Sequence, residues 1–480
     1  MLSSFGYLQD SMSFSKNNML KLLTRLYLVT NCVFLVAVEA VNAETNDAKP
    51  PQLIMQDVSA NDFYKHLEEA IMNHPIFLGS EASVAQSREF VNIAKSARRP
   101  QLSMQSSATN RLSSSYDGKL SFFESSPIKE RALVSVVIDQ LLFDFFATSY
   151  QIEQQESTLL ADQTLQEQKV NNLALKMITS CLDTATYFIL KTMVLDSVNR
   201  HQEITDKIKV RVDSGRAPMR ELSRANARLA EAQAKQVNID LNYQSVLAEF
   251  KQLMPDSKAC MKMLSLEKAY LVMQLDQAID QAINSNLNIK EANLRIKAAE
   301  ENLLRVKSSR WPRLTLKVQG DKYNPDSYGF WPVTQHSLEE YDFYAGVNLE
   351  ADIYSGGRKK SQIRAANQEL NVLLYEKNSL VKTIKSNTER LISELESGDE
   401  RIDIFLKAFT ANERSRDNLT LQFQTSNISL LDLLQAERDY LESSENMVFN
   451  QRAVLLSSYT QLAILGRLLN YISEQSDKIQ

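Results

Sequence analysis

Four histidines, His66, His74, His201 and His336, are scattered along the chain, and no two share a spacing that would bring both imidazoles to one metal ion. There is no glycine-rich phosphate loop, and the acidic residues are spread along helical faces where solvation accounts for them. Acid–base, nucleophilic and metal-assisted catalysis therefore have no constellation to rest on. No enzyme activity, cofactor or metal is expected. Two features keep chemical content. Once an N-terminal apolar segment containing Cys32 is set aside, Cys181 and Cys260 remain, and in an oxidising compartment they can pair or stay apart. In 341–354, polar groups recur at every second residue: Asp342, Tyr344, Gly346, Asn348, Glu350, Asp352 and Tyr354 alternate with Tyr341, Phe343, Ala345, Val347, Leu349, Ala351 and Ile353.

Period-two alternation of this length is a strand with one apolar and one polar face. The apolar face suits lipid, and the acidic face, with Asp342, Asn348, Glu350 and Asp352, suits a water-filled lumen, the pattern of a transmembrane barrel strand. Ala132, Val134, Val136 and Ile138 repeat it less cleanly, and Asp139 is placed on the lumen side with the others. A half-buried strand on a soluble sheet fits this segment as well. Phe122, Phe123, Phe330, Trp331 and Tyr341 suit interfacial girdles or a core. Four strands cannot close a barrel, since spanning strands leave no unpaired edge in hydrocarbon and barrels need about eight or more. Several chains must then share one cylinder, and two, three or four copies all satisfy the physics.

The elements that carry these strands come twice. At an offset of 211 to 212 residues, Ala70-Ile71 matches Ala282-Ile283, Lys95-Ser96 matches Lys307-Ser308, and Arg98, Pro100 and Leu102 match Arg310, Pro312 and Leu314. Further on, Leu142-Phe143 matches Ile353-Tyr354, Leu222 matches Leu433, Ala225 matches Ala436, and Pro255 matches Gly466. One unit has been duplicated. The first repeat, 61–265, reads as a helix over 63–97, a hairpin over 101–143 (strands 101–108 and 131–143), a long helix over 144–212 and a returning helix over 219–254. The second, 266–470, reads as a helix over 275–310, a hairpin over 313–354, a long helix over 359–424 and a helix over 430–470, followed by a tail over 471–480. A helix of this length reaches roughly 100 Å at about 1.5 Å per residue. The turns fall at 214–218, with Gly215 and Pro218, and at 425–429, with Ser426 and Asn427.

Composition agrees. Only 11 glycines and 10 prolines occur in 480 residues, and 147–214 and 333–480 contain no proline. The net charge of −5 with interspersed signs gives no concentrated basic face, so no nucleic-acid partner is expected. Lys21 and Arg25 precede an apolar run from Leu26 to Val38, and Val41-Asn42-Ala43 gives a small-residue cleavage pattern. Residues 1–43 are read as an export signal, with Met19 an alternative start. A retained anchor is the other reading, although the run is short for a span of about 20 residues. Apolar residues such as Leu380, Ile384, Leu391 and Leu395 form stripes that need coiled-coil neighbours. Measured from Gly215, Cys181 lies 34 residues before and Cys260 45 after, so antiparallel helices bring them to similar heights. A disulfide and two buried thiols both fit that geometry.

In this order and duplicated, three segments resemble the TolC family of outer-membrane efflux and secretion proteins over nearly all of the exported chain. They are Ser96-Ala97-Arg98-Arg99-Pro100-Gln101-Leu102, Ile353-Tyr354-Ser355-Gly356-Gly357-Arg358, and Ser429-Leu430-Leu431-Asp432-Leu433-Leu434-Gln435-Ala436-Glu437. The resemblance implies a mainly α fold with a pair of membrane β hairpins. Three copies would form a homotrimer with a 12-stranded outer-membrane β-barrel, continued by an α-helical coiled-coil barrel in the periplasm. Implied partners are outer-membrane lipid, a periplasmic adaptor and, through it, an inner-membrane ABC transporter or a proton-driven pump. Residues 429–469 are most similar to the type I protein-secretion branch, with multidrug efflux as the alternative. The two turns would form the periplasmic entrance, where Asp432 matches an acidic ring position. The family's second aspartate is Gln435 here, an arginine of the entrance lock is Ile428, and Arg220 and Glu221 replace a threonine–aspartate pair. Arg220 is then free to pair with Asp432 or Glu221.

A structural coiled-coil protein or a periplasmic adaptor is the competing class. It needs no barrel, and the alternating strand and duplicated hairpins speak against it. Heat-modifiable migration of an outer-membrane fraction separates the two.

Overall fold

The computed structural model describes residues 60–112, 128–255, 260, 274–323, 327–328, 340–425 and 429–477. The signal segment 1–43, Gly118, Phe122, Phe123, Pro127, Phe330, Trp331, His336 and the turn residues Ser426, Asn427 and Ile428 lie outside the described residues. In chain order the elements are α1 (Ala60–Asn73), α2 (Pro75–Ser96), β1 (Gln101–Leu112), β2 (Ile128–Phe143), α3 (Ala147–Asp213) and α4 (Met219–Leu253). After these come α5 (Leu275–Ser285), α6 (Leu287–Ser308), β3 (Arg313–Tyr323), β4 (Ser327–Tyr328), β5 (Glu340–Glu350), α7 (Arg358–Thr425), α8 (Leu430–Ile464) and α9 (Leu468–Asp477).

The duplication shows in element lengths. Helices α2 and α6 both have 22 residues, and α4 and α8 both have 35. The single helices expected over 63–97 and 275–310 are each two helices. Pro75 has no N–H to continue a preceding helix, and the His74 side chain caps the new one by accepting from the Ile76 N–H at 3.2 Å. Asn286, 212 positions later, does the same for Asn288 at 3.0 Å. The helix expected over 430–470 stops at Ile464. Gly466 takes a left-handed conformation, and the Arg467 N–H bonds back to the Leu462 carbonyl at 2.8 Å, so the chain restarts as α9 and draws part of the expected tail into helix.

The strands form one antiparallel sheet in the order β1-β2-β3-β5, with β4 beside β2. The strand expected over 341–354 ends at Glu350. Its partner β3 begins at Arg313, which pairs with Glu350, and the residue before it is Pro312, so 351–354 have no ladder to join. Asp352 is therefore corrected: it lies beyond the strand and pairs with Arg358 and Lys359 at 3.2 and 3.3 Å.

The largest core lies where α1, α3, α4, α8 and α9 meet. Tyr64, Leu67, Met177, Ile178, Leu182, Phe250 and Leu462 are fully buried there, and the Tyr64 and Tyr459 hydroxyls share a hydrogen bond of 2.6 Å. Cys181 and Cys260 are joined in a disulfide with Cα atoms 5.4 Å apart, which fastens the chain after α4 to the side of α3.

Candidate functional site: two hairpin tips and an amphipathic sheet

Cross-strand register decides which residues share a face of the sheet. Leu102 opposes Ile138, Ile138 opposes Val318, and Val318 opposes Ala345; Met104, Val136, Gly320 and Phe343 form the next row. These rows are apolar across all four long strands and open, with Leu102 72% and Phe343 75% exposed. A patch of this extent on a water-facing surface would be an association site. The other face carries the rows Gln101, Asp139, Lys317, Gly346 and Ser135, Asp321, Asp342. Asn348 opposes Thr315 and Glu350 opposes Arg313 on that same face. Asp139, Asp342, Asn348 and Glu350 thus lie together, and Asp352 does not join them. Among the described residues, the outer edges of β1 and β5 have no partner strand.

At the far end of the long helices, Gly215 adopts φ 73°, and the Arg216 N–H bonds to the Arg211 carbonyl at 2.8 Å, closing α3. Pro218 caps α4 and sets Arg220 and Glu221 in its first turn. Ser429 caps α8 by accepting from the Leu431 N–H at 3.2 Å and leaves Asp432 exposed in the first turn, where the helix dipole favours a carboxylate. Gln435 donates to Asp439 at 2.7 Å. Among the described residues of one chain, Arg220 forms an ion pair with neither Asp432 nor Glu221.

What joins the two hairpins at this end is a packing contact that sequence reasoning did not assign, although it quoted some of its residues. Ile204, Ile208, Ala225, Phe423, Leu430, Leu433 and Leu434 form an apolar cluster drawn from α3, α4, α7 and α8. The Arg211 guanidinium lies 4.5 Å from the Phe423 ring centroid and donates to the Phe423 carbonyl at 3.0 Å. Further from the turns, buried Arg416 stacks over Tyr440 at 3.7 Å and bonds Asp417 at 2.6 Å. Burial works against the Arg416 charge, but hydrogen bonds to Asp417 and Tyr440 outweigh it and hold the guanidinium above its ordinary range. Glu437 faces Arg200 at 4.0 Å; burial pushes its carboxyl up, and Arg200 and Arg416 pull it back. One signal was available. Arg416 and Tyr440 stand nine and ten residues from the ends of α7 and α8 that flank the turn, so a hairpin must bring them level.

A lipid-compatible sheet with open edges, mounted on helical hairpins of roughly 100 Å, defines the class of outer-membrane channel components. The chain belongs to the outer membrane efflux protein family, whose model matches twice, over residues 66–254 and 278–467. It is thus an outer-membrane channel component and not an enzyme. The outer membrane efflux protein BepC of Brucella suis is 20% identical over 409 residues, covering 84% of each chain. The outer membrane protein TolC of Vibrio cholerae is 26% identical over 205 residues, covering 41% of this chain and 44% of that one. The CmeC outer membrane channel of Campylobacter jejuni superposes with a TM-score of 0.73 at 11% identity, covering 93% of this chain and 98% of its own, a likeness of fold.

Proposed function

We propose that three copies of this chain close a 12-stranded barrel and a helical tunnel that serves as the passive exit duct of a tripartite export system. The observation that carries this is the sheet: four long strands, one face with apolar rows running across all of them, one face rich in charged and amide groups, and two edges that hydrocarbon would not tolerate unpaired. In the trimer Asp139, Asp342, Asn348 and Glu350 line the lumen. The tips with Gly215, Pro218, Ser426 and Asn427 form the periplasmic entrance. Asp432, repeated three times about the axis, raises local cation affinity there, with Gln435, Arg220 and Glu221 on the same rim. A periplasmic adaptor contacts the tips and connects the duct to an inner-membrane ABC transporter or proton-driven pump, which supplies the energy. Opening follows when those contacts favour the state with the tips apart.

Type I protein secretion is the preferred cargo route, supported by the character of 429–469. Small-molecule extrusion is the second reading, supported by the Brucella relative, an efflux protein. Chemical crosslinking and single-channel recording test the duct: the reading requires a trimer that conducts in planar bilayers, and a soluble monomer without conductance ends it. Deletion of the gene, followed by parallel assays of secreted protein and drug sensitivity, separates the two cargo routes.

A further inference from the structure

The two repeats enter their long helices through the same backbone conformation but with opposite side chains. In the second repeat, Gly356 and Gly357 hold φ of 60° and 85°, a left-handed pair that glycine adopts freely. At the matching positions of the first, 211 residues earlier, Phe145 and Phe146 hold φ of 54° and 67°. Bulky residues are true outliers in that region, and strain of this kind persists where the surroundings over-determine it and clusters at functional sites. Here it gathers rings. Phe145 stacks on Trp311 at 5.3 Å, and Phe143 meets Phe145 at 4.9 Å and Phe146 at 5.8 Å. Phe143 opposes Leu314, on the apolar face of the sheet. The cluster therefore prolongs that face past the strand ends, yet it is half open: Phe146 and Trp311 are 60% and 61% exposed.

Charge collects at the same level. The four connections between strands and helices, with the first turn of α7, carry Arg98, Arg99, Arg310, Arg358, Lys359 and Lys360 against only Asp144 and Asp352. That is four net positive charges on a chain whose total is −5. Both carboxylates are already engaged, Asp144 by the Thr148 N–H at 2.8 Å and Asp352 by Arg358 and Lys359. Arg98 donates to Ser149 at 2.7 Å, and Arg99 and Arg310 are exposed beside it in the chain and at the matching junction of the other repeat.

We propose that this collar is a binding site for anionic phospholipid in the periplasm-facing leaflet. The aromatic rings sit at the acyl boundary and the arginines of both repeats engage headgroup phosphates. The pairing of apolar rings that continue a lipid-facing sheet with a local basic excess on an acidic protein fits a molecule that is apolar at one end and anionic at the other. The inference rests on the membrane-inserted duct proposed above.

The chain has two tryptophans, so a W331F variant leaves Trp311 as a fluorescent reporter inside the collar. The variant is reconstituted into phosphatidylcholine bilayers that contain a minor share of brominated phosphatidylglycerol or of brominated phosphatidylcholine. Trp311 should be quenched by both lipids, with phosphatidylglycerol preferred by about fivefold for each arginine that engages a headgroup. The preference should shrink in high salt. R98Q/R99Q/R310Q should bring the two lipids to parity. F145G/F146G, which copies the second repeat and relieves the backbone, should lower quenching by both while conductance persists. Equal quenching by both lipids in the unaltered collar, or none in a conducting channel, overturns the lipid site and leaves the duct standing. Failure to insert or conduct at all overturns the duct, and the collar with it.

Discussion

Helices α3 and α7 descend from matching positions of a duplicated unit and have nearly equal length, 67 and 68 residues, yet they keep different company. Helix α3 is wrapped by α2, α4, α6 and α8. Met177, Ile178, Leu182, Leu190 and Ile208 along it are wholly buried, which is why its apolar stretch is a core and not a membrane span. Helix α7 packs on α5, α6 and α8 and leaves Val372, Tyr375, Ile404 and Leu421 open, Tyr375 by 73%. Ile384 and Leu391 of its expected stripe are buried, with Leu380 and Leu395 half-buried. Duplication supplied two similar helices; one became the pillar of its own chain, and the other keeps an open face that the trimer proposed above would cover.

That difference predicts unequal costs. Leu182→Ala should destabilise the helical part by about 2–5 kcal/mol, since a wholly buried leucine leaves a cavity. Tyr375→Ala should change the stability of the single chain by no more than about 0.5 kcal/mol while weakening self-association. Denaturant unfolding followed by circular dichroism, beside sedimentation analysis, measures both. Equal losses of stability would erase the distinction between pillar and open face.

The repeats also fasten their ends differently. After α4 the first is held by the Cys181–Cys260 disulfide, whose counterparts 211 residues on are Ile392 and Tyr471. The second is held by aromatic packing, with Tyr471 against both Tyr64 and Tyr459. C181S/C260S should cost about 2–4 kcal/mol, because the bond closes a long loop in the unfolded chain. Tyr64→Phe, which removes one buried hydroxyl pair, should cost about 1 kcal/mol. Non-reducing and reducing melts of each variant compare the two fastenings, and a disulfide variant as stable as the parent would remove the contrast.

At the helix entrances the same backbone is cheap in one repeat and strained in the other. Gly357→Ala should cost about 1–2 kcal/mol, since it adds a Cβ to a left-handed residue. Phe146→Gly should be close to neutral for unfolding, lost packing being set against relieved strain. A large loss on Phe146→Gly would mean that the aromatic cluster holds the fold itself.

The sequence carried the duplication, both hairpins and the long helices because each depends on patterns that survive without tertiary detail: a fixed offset, period two, and absence of proline. It was less informative where a single side chain decides a boundary. His74 and Asn286 restart helices by capping, Gly466 ends one, and the end of β5 depends on where β3 begins. The sheet-face residues were legible, except Asp352, because register follows from alternation. The contacts joining the hairpins were not, since Arg211, Arg416 and Glu437 read as ordinary surface charges until antiparallel packing sets them against Phe423, Tyr440 and Arg200.

The smallest expected effect is also the one whose sign tests that packing most directly. His201 is buried on α3, and among the described residues its Nδ1 has no hydrogen-bond partner. Burial holds its imidazole below the ordinary range; Arg228 adds to the shift and Glu231 opposes it. The unfolded chain then binds the proton more readily, so this contribution is present above the unfolded value of about 6.5 and is lost as pH falls through it. Glu437 works in the opposite sense: its raised carboxyl makes the folded state take up a proton first, and acidification relieves the buried charge. Between about pH 7.5 and 5.5, His201→Gln should flatten the loss of thermal stability, and as pH falls on toward the ordinary glutamate value of 4.5 Glu437→Gln should steepen it. A slope unchanged by His201→Gln would mean that the imidazole meets water, and that α3 and α4 pack less tightly against each other above the entrance.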